Sequence, residues 1–186
     1  MRKKYLSTLS SLISPKRFEH SLRVEQAAIK LAKKHNLNQP AVGFAGLFHD
    51  IAKESTPADL LALGVNCNQF NECWVNYPSV WHAFVGPLVV SHVLPEVKLN
   101  YEDAIRFHTT GQKNMSVLAE IIFVADFIEP GRKHPDRSMI ESVAMDHLAS
   151  AVALITQKTI ERLTRKNAQV HQFTLSCAEW FAQFLE

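Results

Sequence analysis

The feature that most constrains this chain is a histidine and an aspartate that stand side by side in an apolar run. The run extends from Ala41 to Ala52 and contains His49 and Asp50. Burying such a pair costs free energy unless the side chains bind each other or a metal ion. Neighbouring side chains on a helix point about 100° apart, so the two do not face each other, but both can reach an ion beside the helix. A buried histidine bonded to a backbone carbonyl, with Asp50 near a helix end, is the alternative.

Apolar residues recur at helical spacing throughout the chain, and no segment shows the alternation typical of a β-strand. The pair Ser14-Pro15 is typical of a helix start. In the helix that carries His49, Gly43 and Gly46 would let another helix approach closely. We therefore predict an all-α helical bundle in one domain over residues 1–186. The predicted helices cover about 3–12, 15–35, 39–52, 57–63, 80–93, 101–110, 115–128 and 172–184, with a short helix within 66–79 and a long segment at 138–166 broken near Asp146.

Composition limits the function classes open to this chain. Its 186 residues are 47% hydrophobic, which suits one globular domain with a sizeable core. A net charge of +2 is too small to argue for nucleic-acid binding, and no apolar run is long enough to predict a membrane span. Three cysteines without a C-x-x-C pair indicate reduced thiols and a cytoplasmic location. Serines and threonines interrupt the N-terminal segment, so we expect no signal peptide.

Six polar side chains stand out because each lies in or at the end of a helix with a strong apolar face. They are His20, His49, Asp50, His82, His108 and Asp126. Such residues are rarely buried without a partner, although each alone has an ordinary structural explanation. A helical bundle could aim all six at one point. Mixed nitrogen and oxygen ligands suit iron, manganese, zinc or nickel better than magnesium or calcium, and the lack of cysteine argues against a structural zinc site.

The remaining charged residues and histidines are assigned to the surface. On the helix that begins at Pro15, the stripe with His20 faces inward, and the outer side carries Arg23, Glu25, Lys30, Lys33 and Lys34. Surface or capping positions are predicted for His35, His92, His134 and His147. A solvated face is predicted for Arg137, Arg162, Arg165 and Lys166. His171 stays open between a surface position and a functional one.

The order His20, His49-Asp50, Asp126 resembles that of the HD superfamily of metal-dependent phosphohydrolases. Four longer strings narrow the resemblance: EHSLRVEQAAIKLAKKHNL at 19–37, AGLFHDIAKE at 45–54, AIRFHTTG at 104–111 and IIFVADFIEPGR at 121–132. These are similar to the YqeK subgroup, whose members are symmetrical diadenosine tetraphosphate hydrolases. The resemblance extends from about Pro15 to the C-terminal helix.

The resemblance implies an HD-domain helical bundle with a buried metal site within about 15–132, behind a short N-terminal helix. C-terminal helices at about 138–186 would close the pocket. The implied metal is iron, as one ion or two, with manganese, cobalt or zinc as substitutes. The implied metal ligands are His20, His49, Asp50 and Asp126. The implied catalytic residues are Asp50, Lys53, His82 and His108, of which the two histidines face the phosphates or hold a second metal. The implied nucleotide contacts are Lys53, His82, His108, Thr109, Arg132, Val170, His171 and Thr174.

The implied activity is cleavage of diadenosine tetraphosphate to two ADP, so the expected partner is a small dinucleoside polyphosphate, with no nucleic acid and no membrane. The alternatives are another HD-type nucleotide phosphohydrolase and a non-catalytic regulator that binds metal and nucleotide. Two departures from the subgroup pattern bear on the pocket: His82-Ala83-Phe84 replaces His-Gly-Pro, and His171-Gln172-Phe173-Thr174 replaces His-Pro-x-Thr. The sequence leaves the oligomeric state open between a monomer and a homodimer.

Overall fold

The computed structural model describes residues 1–98 and 100–185, and this part of the chain folds into helices joined by turns, with no β-strand. The α-helices are α1 (Arg2–Ser10), α2 (Pro15–Lys34), α3 (Gln39–Phe48), α4 (Pro57–Ala62), α5 (Asn71–Asn76), α6 (Pro78–Val93), α7 (Glu102–Phe107), α8 (Val117–Ile128), α9 (Arg137–Asp146), α10 (Leu148–Arg165) and α11 (Gln172–Phe181). Two 3-10 turns span Asn68–Phe70 and Ala182–Phe184. The predicted all-α fold is confirmed. The predicted C-terminal boundary at residue 186 lies outside the described residues.

Helix α8 forms the centre of the bundle. It packs against α2, α3, α7, α9 and α10. Its side chains are apolar almost all round, and Ile121, Ile122 and Val124 are completely buried. The Ser116 hydroxyl caps its first turn by accepting a hydrogen bond from the backbone N–H of Ala119. A helix that is apolar on every side belongs in a core, so α8 carries its one aspartate into the interior.

Helices α2 and α3 lie unusually close because Gly46 has no side chain. A Cβ atom at Gly46 would lie 3.0 Å from the Cα atom of Glu25. This confirms the close helix approach expected from the two glycines of α3. The contact brings His20 of α2 against His49 at the end of α3.

Helix α3 ends at Phe48, so the prediction that it continues to Ala52 is wrong. Residues 49–54 form successive turns, with hydrogen bonds from the N–H of Ile51 to the carbonyl of Phe48 and from Lys53 to Asp50. The His49 ring explains the stop, because its Nδ1 donates to the carbonyl of Gly46 over 2.7 Å. In a continued α-helix that carbonyl would accept from the backbone N–H of Asp50.

Glu25 is buried, and its predicted place on the wet side of α2 is wrong. The side chain is 4% exposed and its carboxylate accepts a hydrogen bond from Arg2 Nη2 over 2.8 Å. The close approach of α3 covers this face of α2, and the α1 cation compensates the buried charge. Neither fact is visible in the helical periodicity of α2 alone.

The C-terminal helices cover one side of the bundle. Helices α9 and α10 meet at His147, which confirms the predicted break near Asp146. Helix α10 packs against α8, α9 and α11. Among the described residues, no helix is both long enough and apolar enough to cross a membrane.

Candidate metal centre

Asp50 lies at the centre of four histidine rings. Its Oδ1 atom is 3.1 Å from Nε2 of His82 and 3.3 Å from Nε2 of His108. Its Oδ2 atom is 3.6 Å from Nε2 of His20 and 3.4 Å from Nε2 of His49. The two oxygen atoms of one carboxylate therefore face two different pairs of imidazoles.

A second carboxylate, Asp126, completes one of these groups. Its Oδ1 atom lies 3.1 Å from His20 Nε2 and 3.7 Å from His49 Nε2. We call His20, His49, Asp126 and Oδ2 of Asp50 the Asp126 cluster. We call His82, His108 and Oδ1 of Asp50 the His82 cluster. All six side chains that the sequence singled out are thus brought together.

The tautomers of three of the four histidines leave electron pairs, not protons, at the centre of these clusters. His49 Nδ1 donates to the carbonyl of Gly46, and His108 Nδ1 donates to the carbonyl of Ile105, each over 2.7 Å. A carbonyl accepts and cannot donate, so in the neutral ring the proton sits on Nδ1 and Nε2 carries a lone pair. His20 Nδ1 is held in the same way by a carboxylate oxygen 3.1 Å away.

This donor set fits a transition-metal ion. In the Asp126 cluster, His20 and His49 nitrogens and two carboxylate oxygens converge within 3.1–3.7 Å, and each of these atoms is an acceptor. Without a cation or an added proton such atoms repel each other. Imidazole and carboxylate together suit divalent iron, manganese, cobalt or zinc. The ligand atoms of His82, His108 and Asp50 also lie within 4.8 Å of one another, which suits a second ion.

Both carboxylates are ionised near neutral pH. Burial would raise the pKa of Asp50, but the histidines around it, His49 foremost, hold that pKa well below its usual range. Burial would likewise raise the pKa of Asp126, but the neighbouring side chains of His20, His49 and Arg132 outweigh burial and hold the pKa of this carboxyl well below its usual range. The site therefore presents two negative charges to a cation.

The imidazoles respond to burial and to these charges in opposite ways. Burial lowers the pKa of His82 to about 4 and also lowers the pKa of His108. Burial alone would lower the pKa of His49 as well, but the neighbouring carboxylate charges, Asp50 first, raise it. A proton and a metal ion thus compete for the Nε2 atom of His49, and metal binding there would release the proton.

Three residues that sequence reasoning missed hold the ligands in place. Glu129 is 2% exposed, accepts from His20 Nδ1 and also accepts from Arg23 Nε over 2.6 Å. Arg17 Nη1 donates to Oδ2 of Asp50 over 2.7 Å. Arg17 and Arg23 each stand three residues from His20, and Glu129 stands three residues after Asp126. Side chains three apart share a helix face, and that spacing is the signal that could have found them.

A cavity of about 550 Å³ opens over the clusters. It is lined by six of the residues implied as nucleotide contacts: Lys53, His108, Thr109, Arg132, His171 and Thr174. The other two implied contacts, His82 and Val170, do not line it. Lys158, Arg162 and His134 do line it, although the sequence assigned Arg162 to a solvated face and His134 to the surface. His171, which the sequence left open, lies at the cavity wall.

Two cations reach from the cavity wall to the clusters. Lys53 Nζ lies 3.3 Å from His82 Nε2, and burial lowers the pKa of its ammonium group. Arg132 Nη2 lies 2.5 Å from Oδ1 of Asp126, and Arg132 Nε donates to the backbone carbonyl of Asp126 over 3.0 Å. Both cations therefore lie where the cavity meets the clusters.

The two departures from the subgroup pattern lie against each other. The Phe84 ring stands 5.4 Å from the His171 ring and 5.9 Å from the Phe173 ring, centroid to centroid. His171 caps α11, because its Nδ1 accepts from the backbone N–H of Phe173. The aromatic residue at position 84 thus packs against the segment that lacks the usual proline, and it lies behind His171, which lines the cavity.

Comparison with known proteins gives a consistent result. The family model described as HD domain matches residues 17–131. A symmetrical bis(5'-nucleosyl)-tetraphosphatase of Halalkalibacterium halodurans is 33% identical over 94% of this chain and 94% of its own length. A protein of the same name from Bacillus subtilis is 28% identical over 96% of each chain. A solved structure from Clostridium acetobutylicum, described as a predicted HD superfamily hydrolase involved in NAD metabolism, superposes with a TM-score of 0.89. It is 27% identical and covers 99% of this chain and 98% of its own.

Proposed function

Because this chain belongs to the HD domain family, we propose that it is a metal-dependent hydrolase that cleaves diadenosine tetraphosphate in its middle to give two ADP. The observation that carries the proposal is the pair of ligand clusters sharing Asp50 on the floor of a cavity lined by Lys53 and Arg132. The names of relatives that match over nearly the whole chain support the same substrate. This proposal includes a single domain over residues 1–186. It also includes a cytoplasmic location, which the three free cysteines favour.

The metal ligands in this proposal are His20, His49, Asp50 and Asp126, with His82 and His108 holding a second ion through Oδ1 of Asp50. The proposed ion is iron, and the donor set also suits manganese, cobalt or zinc. When bound, such an ion supplies a Lewis acid for a phosphoryl oxygen and lowers the pKa of a water molecule. The converging acceptor atoms and the ring nitrogens anchored by carbonyls support this assignment.

The substrate contacts in this proposal come from the cavity wall. Lys53 and Arg132 hold the two phosphates of one ADP half, since their cations lie beside the clusters. The hydroxyl of Thr109 is buried without a hydrogen-bond partner among the described residues and lines the cavity, so it is free to bind a phosphate oxygen. His171 and Thr174 lie further along the wall and are assigned to the nucleoside.

The bond changes follow from this mode of substrate binding. Water adds to the β-phosphorus of the held half, and the bond from that phosphorus to the bridging oxygen breaks. The other half leaves with the bridging oxygen as a second ADP. Lys53 and Arg132 compensate negative charge that develops on the phosphates, an effect that preorganised cations provide most strongly in a water-poor site. ADP itself should inhibit, because the held half is ADP.

The test is product chromatography on diadenosine tetraphosphate after the purified protein has been loaded with iron, manganese or cobalt and its metal content measured. We expect ADP as the sole nucleotide product. In ¹⁸O-labelled water, one of the two ADP molecules formed in each turnover should carry the heavy oxygen. ATP with AMP, or turnover of other nucleotides alone, would favour another phosphohydrolase of this family. Nucleotide binding without any product would favour a regulator.

A further inference from the structure

Helix α10 turns a polar stripe toward the cavity. The residues of α10 that line the cavity are Ile155, Lys158, Thr159, Arg162 and Leu163. Their spacing is that of one helix face, the face that a helix normally fills with apolar residues when it covers a core. Two cations and a hydroxyl stand there instead, between an isoleucine and a leucine. This side of the cavity is therefore built for a polar, negatively charged occupant.

The two cations of this stripe differ in their partners. Lys158 Nζ lies 2.7 Å from Oδ2 of Asp136, which neutralises part of its charge. Arg162 stands one turn further along the helix and is exposed to the cavity. Among residues 1–98 and 100–185, no carboxylate oxygen lies within 4.0 Å of its guanidinium. An unpaired guanidinium at a cavity wall is well suited to bind phosphate oxygens in two places at once.

The cavity as a whole contains two sets of phosphate-type cations and two aromatic pairs. One set, Lys53 and Arg132, lies beside the metal ligands, and the other, Lys158 and Arg162, lies on α10. The first aromatic pair is Tyr77 and His171, and the second is Phe127 and His134, each with ring centroids 4.6 Å apart. A mononucleotide needs only one set of cations and one aromatic pair, whereas a dinucleoside polyphosphate can use both sets and both pairs.

Resting on the proposed function, we propose that the α10 stripe binds the second half of the dinucleotide. Arg162, assisted by Lys158, contacts the two phosphates of the half that leaves, and the Phe127–His134 pair lies beside its base. The ligand class is a nucleoside diphosphate arm joined through phosphate to the held half. ADP alone fills only the first half, so Arg162 selects the dinucleotide over its product and favours release of ADP after cleavage.

The experiment measures binding rather than turnover. Calorimetric titrations with ADP and with the β,β′-methylene analogue of diadenosine tetraphosphate, which has no bridging oxygen to cleave, are made on the metal-loaded full chain. Three proteins are compared: wild type, Arg162→Glu and Arg165→Glu. Arg165 is the matched control, because it is an exposed arginine of the same helix that does not line the cavity.

We expect Arg162→Glu to weaken binding of the analogue about tenfold, the size of one charge-assisted hydrogen bond, with less than about a twofold change for ADP. Arg165→Glu should leave both affinities unchanged. Equal weakening of both ligands, equal effects of the two substitutions, or no effect of Arg162→Glu would each overturn the inference. Because binding is read directly, these outcomes stand apart from the product analysis that tests the proposed function.

Discussion

The Asp126 cluster and the His82 cluster share one carboxylate but differ in what surrounds them. The Asp126 cluster has two carboxylates, and Glu129 adds a further negative charge behind His20. The His82 cluster has a single carboxylate oxygen, and the ammonium group of Lys53 lies 3.3 Å from its first imidazole. Arginines pair with all three carboxylates: Arg17 with Asp50, Arg132 with Asp126 and Arg23 with Glu129. The clusters therefore differ mainly in their ligand atoms, with two carboxylate oxygens in the first cluster and one in the second.

This difference indicates that the two clusters have different roles in one site. Two carboxylate oxygens together with two anchored imidazoles favour a permanently bound ion. One carboxylate oxygen with two imidazoles beside an ammonium group favours a weaker ion or a phosphate oxygen. We expect the Asp126 cluster to fill first when metal is titrated into the apo-protein. The His82 cluster should fill at higher metal concentration or together with substrate.

The largest expected effect comes from the residue that both clusters share. Asp50→Ala removes an oxygen atom from each cluster and leaves the buried imidazoles of His82 and His108 without a carboxylate. We expect more than about a 100-fold loss of metal affinity, since even residues that only support ligands are worth roughly 10–100-fold. Activity should disappear with the metal. Metal analysis after gel filtration checks this, with Asp146→Ala, an exposed carboxylate at the end of α9, as control. Wild-type metal content in Asp50→Ala would rule out this site.

The next effect separates the two clusters. His82→Ala and His108→Ala should each keep at least the ion of the Asp126 cluster but lower kcat by roughly 10²–10⁴, the cost of losing one positioned acid–base group. His92→Ala, an exposed histidine further along α6, is the control and should behave as wild type. Metal content and kcat are measured on the same samples. Complete loss of metal from both variants would mean that these residues bind the primary ion.

A smaller effect is expected from Glu129, which touches a ligand but not the ion. Glu129→Gln keeps an oxygen for His20 Nδ1 and loses the charge that is also hydrogen-bonded to Arg23. Metal affinity of the Asp126 cluster should fall about 10–100-fold, because the imidazole becomes less basic, while the His82 cluster keeps its affinity. Metal titration of the apo-protein gives both values. The control is Glu141→Gln, which removes the charge pair between Lys30 of α2 and Glu141 of α9. Unchanged metal affinity in Glu129→Gln would contradict the role of Glu129.

Sequence reasoning predicted the fold and the six residues of the two clusters because both leave local signals. Apolar periodicity gave the helices, and polar side chains on apolar faces gave the six residues. The two interpretations of His49 turned out to be compatible, since its Nδ1 bonds a carbonyl while its Nε2 faces the cluster. The same hydrogen bond ends α3 earlier than its apolar composition suggests.

What the sequence did not predict depends on which helices meet. Glu25 is buried because α3 covers it and Arg2 reaches it from α1. Arg17 and Glu129 look like ordinary surface charges until α2, α3 and α8 are packed together. Arg162 belongs to the cavity because α10 folds back over α8. Pairings between distant helices have no signature in local periodicity.

The smallest effect tests whether the Asp126 cluster depends on the close contact between α2 and α3. Gly46→Ala places a methyl group 3.0 Å from the Cα atom of Glu25, a backbone atom that moves only if the helices separate. We expect a net loss of about 1–2 kcal/mol in the free energy of unfolding, after the gain of up to about 1 kcal/mol in helix propensity. Because the Gly46 carbonyl also holds His49, metal affinity of the Asp126 cluster should fall as well.

Gly43→Ala is the matched control one turn earlier in α3. Its new methyl group would meet Ile29 Cδ1 at 3.3 Å, the end of a flexible side chain that can turn aside. Its stability in urea unfolding should therefore equal or slightly exceed that of wild type, with metal affinity unchanged. If Gly46→Ala and Gly43→Ala lowered the free energy of unfolding and the metal affinity equally, the close approach at Gly46 would not be what positions His49. The difference between the clusters would then lie in their carboxylate ligands alone, because the His82 cluster makes no use of this contact.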